Sequence, residues 1–240
     1  MSSDPFIAHL KNKYHFIKLS AYMPPNFLGF RYYIGKDAAN TKSIFVKFDG
    51  TLGQAAERES HLLRLLRAKT NHSYFPNLLT SKSGGLYSFV AMDFIHGITL
   101  ERFLAKKVPN IHQVRQIVVQ LLDILTILHS CRVVHRDVRP NNIMIRISKT
   151  KKIHVTLIDF SYAVGHKPNS LPELPFLKNK KNILSMLGGK RYKPESLKWD
   201  DAYSICQIIR SIDPRCHLNF PVEWRRLRAS IGKVTYTHRP

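Results

Sequence analysis

The chain has 240 residues and is 44% hydrophobic, enough for one large domain or two small lobes with a real core. It contains 38 Lys and Arg but only 16 Asp and Glu, which gives a formal net charge of +22. This charge does not bear on the fold, but it makes anionic membrane faces, phosphorylated glycans and nucleic acid plausible partners.

The cysteines indicate a reducing compartment. They are odd in number and have no metal-ligand spacing, so we expect free and mostly buried thiols. The segment Met1 to Asp4 has no basic region followed by a long apolar run, and the longest apolar stretches look too short to span a membrane. We therefore expect a cytoplasmic protein, with peripheral contact to the inner face of a membrane as a variant of that expectation.

The first third of the chain predicts antiparallel strands. Residues 14–19 and 27–34 are aromatic and β-branched, and the turn signal Pro24-Pro25-Asn26 separates them. A third strand, Ser43 to Phe48, carries Lys47 near its end. Ser83-Gly84-Gly85 separates two further strands, the second of which runs from Leu86 to Ile95.

A helix is predicted from Gln54 to Lys69, because its leucines recur at helical spacing. Two of its acidic residues, Glu57 and Glu59, are candidates for an inward-facing carboxylate. We choose Glu59, since leucines follow it three, four and seven residues later and so share its face. A longer apolar helix is predicted from Ile111 to about Ser130, with Asn110 as its N-cap.

The most informative stretch follows this long helix. It reads His135-Arg136-Asp137, then four residues, then Asn142, and an apolar strand later ends in Asp159-Phe160-Ser161. Residues 143–158 alternate as a hairpin would, which brings Asn142 and Asp159 to one rim. The order and spacing closely resemble the catalytic and metal-binding loops of the protein kinase superfamily.

This resemblance implies an α+β, two-lobed protein kinase-like fold. The small N-lobe, residues 1–95, would hold an antiparallel sheet and one helix that cover the nucleotide. Residues 96–240 would form a reduced helical C-lobe, shorter than in full protein kinases. The implied activity is ATP-dependent phosphoryl transfer with Mg²⁺.

The resemblance also assigns roles to single residues. Asp137 would orient and deprotonate the acceptor hydroxyl, and Arg139 would stabilise the charge on the transferring phosphoryl group. Asn142 and Asp159 would hold magnesium. Lys47, paired with Glu59, would orient the phosphates.

The segment 90–97 resembles the kinase hinge that reads adenine. Met92 would lie behind the base, and backbone groups of Asp93 and Ile95 would contact its edge. Two departures stand out: the first hairpin lacks the G-x-G-x-x-G pattern, and Phe45 replaces a small residue two positions before the strand lysine. Both leave open how the nucleotide is covered.

Residues 162–193 resemble an activation segment, and Arg136 is a candidate receiver for an anion from it. Asp201 resembles the aspartate that ties down the backbone of the catalytic loop, so we expect it to be buried and its neighbour Asp200 to be exposed.

Two acceptors remain open. One is Ser or Thr on a protein, which Arg139-Pro140-Asn141 favours by its resemblance to Ser/Thr kinases. The other is a sugar hydroxyl of a glycolipid, because residues 199–204 resemble small basic bacterial kinases of lipopolysaccharide core sugars.

The alternative function, from outside the enzymes, is a pseudokinase scaffold that binds nucleotide or a partner without catalysis. Charge alone suggests nucleic acid, but no basic patch is interleaved with aromatic residues. The sequence does not determine the oligomeric state.

Overall fold

The computed structural model describes residues 4–26, 28–166, 171, 173–178 and 180–238. The chain forms two compact units, one of Met1–Arg64 with Pro76–Ile95 and the other of Leu65–Phe75 with His96–Pro240. The predicted boundary placed residues 65–75 in the first lobe. They group with the second unit, because Leu157 N donates to Tyr74 O at 2.9 Å and Thr156 Oγ1 donates to Ser73 O at 2.9 Å.

The first unit is a five-stranded antiparallel sheet with two helices, in the strand order β1-β2-β3-β5-β4. Its elements are α1 (Pro5–Tyr14), β1 (Ile17–Met23), β2 (Arg31–Lys36), β3 (Ser43–Phe48), α2 (Gln54–Arg67), β4 (Leu78–Lys82) and β5 (Phe89–Asp93). The predicted α+β class is confirmed, and the sheet contains the strands that the composition indicated.

The strand expected from residue 14 begins at Ile17 instead. Tyr14 belongs to α1, which starts where Asp4 accepts a hydrogen bond from Phe6 N and Pro5 occupies the first turn. Tyr33 Oη also donates to Asp4 Oδ2 at 2.6 Å, so the start of the helix is fixed to the sheet.

The alternation of β3 gives the sheet two different faces. Ile44 and Val46 are buried in a core with the α1 residues Phe6 and Leu10. Because successive side chains of a strand point to opposite faces, Lys47 lies on the other face. Helix α2 lies against that second face. The residues expected to bind nucleotide are therefore brought together there.

The second unit is mainly helical, with short sheets. Its elements are β6 (Ile98–Thr99), α3 (Leu100–Lys106), α4 (Ile111–Ser130), β7 (Val133–Val134), β8 (Ile143–Ile147), β9 (Ile153–Leu157), β10 (Val164–Gly165), α5 (Lys181–Met186), β11 (Lys198–Asp200), α6 (Asp201–Ile212), α7 (Cys216–Asn219), α8 (Pro221–Arg228) and β12 (Thr235–Thr237). Parts of the predicted activation segment, residues 167–170, 172 and 179, lie outside the described residues, as do Phe27 and residues 1–3.

Helix α4 is the core of this unit, and Asn110 and Gln113 close its start with a capping box. Within the described residues, α4 alone is long and apolar enough to cross a membrane, contrary to our expectation from the sequence. Core helices of soluble proteins have the same composition, and eight α4 side chains are buried within the unit. They are Val114, Ile117, Val118, Leu121, Leu122, Ile124, Leu125 and Leu128.

Two glutamines of α4 hold the edge of β9. Gln116 Oε1 accepts from Ile153 N at 2.7 Å, and Gln120 Oε1 accepts from Val155 N at 3.0 Å. These bonds satisfy strand donors that would otherwise be left unpaired at the sheet edge. They fix the strand that leads directly to Asp159.

Candidate active site

In the first unit, Lys47 and Glu59 form a buried ion pair. Lys47 Nζ lies 3.3 Å from Glu59 Oε2, and the two side chains are 6% and 2% exposed. Nζ also lies 4.9 Å from the centroid of the Phe30 ring, within the range of a cation–π contact. The structure therefore joins Lys47 to the glutamate chosen from the leucine spacing, whereas Glu57 is exposed.

The start of α2 is fixed by a short polar turn that the sequence analysis missed. Ala55 N donates to Thr51 Oγ1 at 3.1 Å, and Ala56 N donates to Asp49 Oδ2 at 2.7 Å. These side chains satisfy amides at the helix start that have no partner within the helix. An Asp and a Thr shortly before an apolar helix were the available signal.

Asparagine shapes the turn between β1 and β2, where a kinase would have glycines. Asn26 Oδ1 accepts from Leu28 N and from Phe30 N, each at 3.0 Å. Gly50 packs beneath this turn so closely that a Cβ there would lie 2.2 Å from Leu28 O. The turn is thus built from Asn26 side-chain bonds, with Gly50 making room for the backbone.

The hinge candidates lie at the end of β5. Met92 is buried and is the cross-strand neighbour of Phe45. Phe45 stacks on Tyr32 with ring centroids 6.0 Å apart, so an aromatic surface stands where a small residue was expected. Asp93 N donates to Asn77 O at 3.0 Å, so this amide is already bonded within the unit. Ile95 is partly buried.

In the second unit, Asp201 holds the backbone of the catalytic loop through two hydrogen bonds. Its Oδ2 accepts from His135 N at 2.6 Å and its Oδ1 accepts from Arg136 N at 3.3 Å. Asp201 is buried as expected, and burial raises its pKa to about 7. The prediction that Asp200 is exposed is wrong: it is 2% exposed, caps α6 through Tyr203 N, and accepts from Gly232 N.

The side chain of His135 contacts two different segments of the second unit through its two ring nitrogens. Asp137 N donates to His135 Nδ1 at 3.2 Å, while Nε2 lies 3.1 Å from Ile158 O. One ring nitrogen accepts and the other faces a carbonyl, which fits a neutral imidazole protonated at Nε2. The ring also contacts Phe160 edge-on, with centroids 4.6 Å apart. His135 thereby ties the catalytic loop to the end of β9.

The carboxylate of Asp137 is surrounded by donors. Oδ1 accepts from Gly188 N at 2.8 Å and lies 3.2 Å from Arg139 Nε. Oδ2 accepts from Asn142 Nδ2 at 2.6 Å. A carboxylate has about four lone-pair positions. The Arg139 contact is an ion pair and not a hydrogen bond, and Oδ2 accepts one bond, so Oδ2 keeps a position for a further donor such as an acceptor hydroxyl.

Burial raises the pKa of Asp137 to about 6. The charge of Asp159 adds to that rise, whereas Arg139 opposes it. The hydrogen bonds from Gly188 and Asn142 also lower the pKa, because they favour the ionised form. A carboxylate with this pKa is mostly ionised at pH 7 yet can hold a proton, as a general base must.

Asn142 and Asp159 lie at the two ends of one hairpin. Strands β8 and β9 pair in antiparallel fashion with Ile143 opposite Leu157, and Ile158 N donates to Asn142 O at 2.9 Å. The amide nitrogen of Asn142 points at Asp137, so its Oδ1 is the atom suited to a cation. One amide oxygen with nearby carboxylates is the hard-oxygen donor set that Mg²⁺ prefers, so the residues fit that ion.

Arg136 has an internal anion that the sequence analysis did not identify. Its guanidinium contacts both carboxylate oxygens of Glu173 at 2.5 and 2.9 Å, and its Nε donates to Tyr162 O. The guanidinium also lies over the rings of Trp199 and Tyr236. The expected anion from the predicted activation segment is therefore a glutamate of that segment.

Comparison with known proteins agrees with this geometry. The family model described as "Protein kinase domain" matches residues 36–179. The human phosphorylase b kinase gamma catalytic chain, liver/testis isoform, is 28% identical over 116 residues, which are 48% of this chain and 27% of that protein. A serine/threonine-protein kinase of Myxococcus xanthus, pkn3, is 36% identical over 76 residues, 31% of this chain and 14% of that protein.

A plant relative shares a longer stretch. The serine/threonine-protein kinase TIO of Arabidopsis thaliana is 30% identical over 145 residues, 59% of this chain and 10% of that protein. The matches thus span 27% or less of these curated relatives. The family model nevertheless covers more than half of the chain, including β3, the catalytic loop and the β8–β9 hairpin. The chain belongs to the protein kinase domain family.

Proposed function

We propose that this chain is an ATP-dependent phosphotransferase that transfers the γ-phosphoryl group of ATP to a Ser or Thr hydroxyl of a protein. The observation that carries this proposal is the environment of Asp137: a buried carboxylate with a pKa of about 6, two hydrogen-bond donors in Gly188 N and Asn142 Nδ2, an ion-pair contact with Arg139 and an acceptor position left on Oδ2.

In the proposed reaction, the acceptor hydroxyl donates its hydrogen bond to Oδ2 of Asp137. Its oxygen attacks the γ-phosphorus, the bond from that phosphorus to the bridging oxygen of ADP breaks, and the proton passes to Asp137. Asn142 and Arg139 hold the carboxylate in position throughout. The guanidinium of Arg139, whose side chain is 41% exposed, is the group available for negative charge on the transferring phosphoryl group.

Two further sets of residues would bind ATP and its metal. Lys47, oriented by Glu59, would contact the phosphates, and the carbonyl of Asp93 with the backbone of Ile95 would read the adenine. Asn142 and Asp159 would hold Mg²⁺. When bound, that ion neutralises charge on the phosphates and favours attack by the hydroxyl.

The choice of a protein acceptor is supported by the relatives, several of which are described as serine/threonine-protein kinases. A sugar hydroxyl of an anionic glycolipid is the second candidate, favoured by the net charge of +22. A pseudokinase is a third outcome, suggested by the missing glycine-rich turn and by Ser161 after Asp159-Phe160. The expected cytoplasmic location, with or without membrane contact, stays a prediction.

The decisive experiment offers the purified chain γ-labelled ATP and Mg²⁺ with either a mixed protein extract or purified lipopolysaccharide. We expect label in protein, on Ser or Thr, and at least about 10²-fold slower labelling with the Asp137→Ala variant. Label in the glycolipid alone would replace the acceptor class. Calorimetric binding of Mg-ATP without label in either acceptor would support the pseudokinase, and wild-type transfer retained in Asp137→Ala would contradict the assigned base.

A further inference from the structure

One peptide unit links the segment after α5 to the candidate base. Gly188 N donates to Asp137 Oδ1 at 2.8 Å. The carbonyl of the same peptide unit belongs to Leu187, and it accepts from Lys193 Nζ at 2.9 Å and from Trp199 Nε1 at 3.1 Å. Because a trans peptide is planar, its C=O and N–H point in opposite directions. Donors that hold the carbonyl therefore aim the N–H at Asp137.

Lys193 and Trp199 are built into this position. They are 4% and 1% exposed, and Lys193 Nζ lies 5.4 Å from the centroid of the Trp199 ring. Nζ also donates to Ser185 O at 2.5 Å, so the ammonium bridges two carbonyls at the end of α5. Burial lowers the pKa of Lys193, and attraction to the charge of Asp137 works against that shift.

The contact also requires glycine at position 188. Gly188 has φ +81°, and a Cβ there would lie 2.8 Å from Arg136 O and 3.4 Å from Trp199 Cδ1. Only a residue without a side chain brings its amide this close to the catalytic loop at that φ. The segment is thus shaped to deliver a backbone donor, held from behind by two buried side chains.

From this geometry we propose that Lys193 and Trp199 are positioning residues for phosphoryl transfer. They clamp the Leu187–Gly188 peptide so that its N–H holds Oδ1 of Asp137 and leaves Oδ2 to the acceptor hydroxyl. This inference rests on the proposed function of Asp137, but the clamp itself is a structural feature that exists whether or not the chain transfers phosphate.

The first test measures the clamp without using activity. Selective ¹⁵N-glycine labelling reports the exchange of the Gly188 amide with deuterium, and the Gly165 amide, bonded to Leu171 O at 3.1 Å, is the reference within the same unit. Lys193→Met and Trp199→Phe each remove one donor and keep much of the volume. We expect faster exchange at Gly188 and an unchanged rate at Gly165.

Matched controls separate this effect from a general loss of stability. Lys198→Met removes a lysine whose contact is a surface pair with Glu195, and Trp224→Phe changes the other tryptophan of the chain. Neither should alter exchange at Gly188. If Lys193→Met does not fold, Trp199→Phe and the milder Lys193→Gln give the same comparison. Exchange at Gly188 that matches the wild-type rate in the folded variants would overturn the clamp.

The second test asks whether the clamp serves Asp137. We expect Lys193→Met to lower kcat for casein phosphorylation or, if casein is not an acceptor, autophosphorylation by about tenfold to hundredfold, the range for one lost bond to a charged group. KM for ATP should stay unchanged, Lys193→Arg should restore part of kcat, and Lys193→Met should have no further effect in the Asp137→Ala background.

The outcomes are distinguishable. Faster exchange with unchanged kcat would overturn the positioning role, as would an equal loss of activity in the Asp137→Ala background. A wild-type chain that transfers no phosphate to any acceptor would remove the proposed function and the positioning role with it. The exchange arm would then still decide whether the clamp holds the Gly188 amide.

Discussion

Among the described residues, each unit of the molecule contains a buried ion pair between a basic side chain and a glutamate, and the two pairs are built differently. In the first unit, the ammonium of Lys47 approaches one oxygen of Glu59 at 3.3 Å. In the second unit, the guanidinium of Arg136 grips both oxygens of Glu173 and stacks on Trp199. A guanidinium fork matches a carboxylate in two places, whereas an ammonium is a compact point charge.

This difference suggests different uses. A point charge with one close approach can share its charge with an incoming phosphate, so the Lys47 pair suits ligand binding. Arg136 Nε also donates to Tyr162 O, so all sides of this guanidinium are held within the unit. The Arg136–Glu173 pair therefore suits a fixed structural contact, which we call the Arg136 joint. Glu173 further lies 3.7 Å from His238 Nδ1, which connects the same joint to the residue after β12.

The largest expected effect concerns the second unit, where Asp137, the proposed base, follows Arg136 in the chain. Asp137→Asn keeps the shape of the side chain but removes the proton acceptor. We expect kcat to fall by about 10²- to 10⁴-fold, the usual contribution of a general base, with little change in ATP affinity. Glu195→Gln, at an exposed carboxylate, is the control. A loss under threefold in steady-state assays would contradict the role of Asp137.

The next effect breaks the Arg136 joint. Glu173→Gln leaves a buried guanidinium that cannot lose its charge, so we expect the free energy of unfolding to fall by about 3–5 kcal/mol. Urea denaturation followed by tryptophan fluorescence measures it. Because Glu173 already supplies the anion, phosphatase treatment of the wild-type chain should leave its activity unchanged. Activity lost on such treatment would mean that another anion controls Arg136.

A smaller loss of stability is expected when the Lys47 pair is broken. Lys47→Met leaves Glu59, which can take up a proton and become neutral, so the cost should be about 2–3 kcal/mol. The double variant Lys47→Met with Glu59→Leu should recover most of it. The same urea titration compares both pairs directly. A Lys47→Met loss equal to that of Glu173→Gln would remove the distinction drawn between them.

The smallest effect is a change in pH dependence. Asp201 has a folded-state pKa of about 7 against an ordinary value of 3.8, so the folded state binds its proton more tightly than the unfolded state. Its contribution to stability is therefore greatest below pH 3.8 and declines as pH rises towards about 7. Asp201→Asn should flatten that decline in urea titrations between these limits. An unchanged slope would show that Asp201 does not titrate in this range.

Local pattern explains why much of the architecture was predictable. The spacing of leucines placed Glu59 on the inward face of α2, and alternation predicted the β8–β9 hairpin with Asn142 at one end. Both features depend on residues close together in the chain. The predicted exposure of Asp200 failed for the opposite reason, since the amide of Gly232, far along the chain, buries and binds it.

The sequence alone determined the fold family, the strand that presents Lys47 and the loop that presents Asp137, because periodicity and motif spacing are local properties. Only the tertiary structure decided the partners: Glu173 for Arg136, and the Gly188 peptide, held by Lys193 and Trp199, for Asp137. These contacts join segments whose separation carries no periodic signal. Burial then gives them their strength, because charges and donors removed from water must find each other.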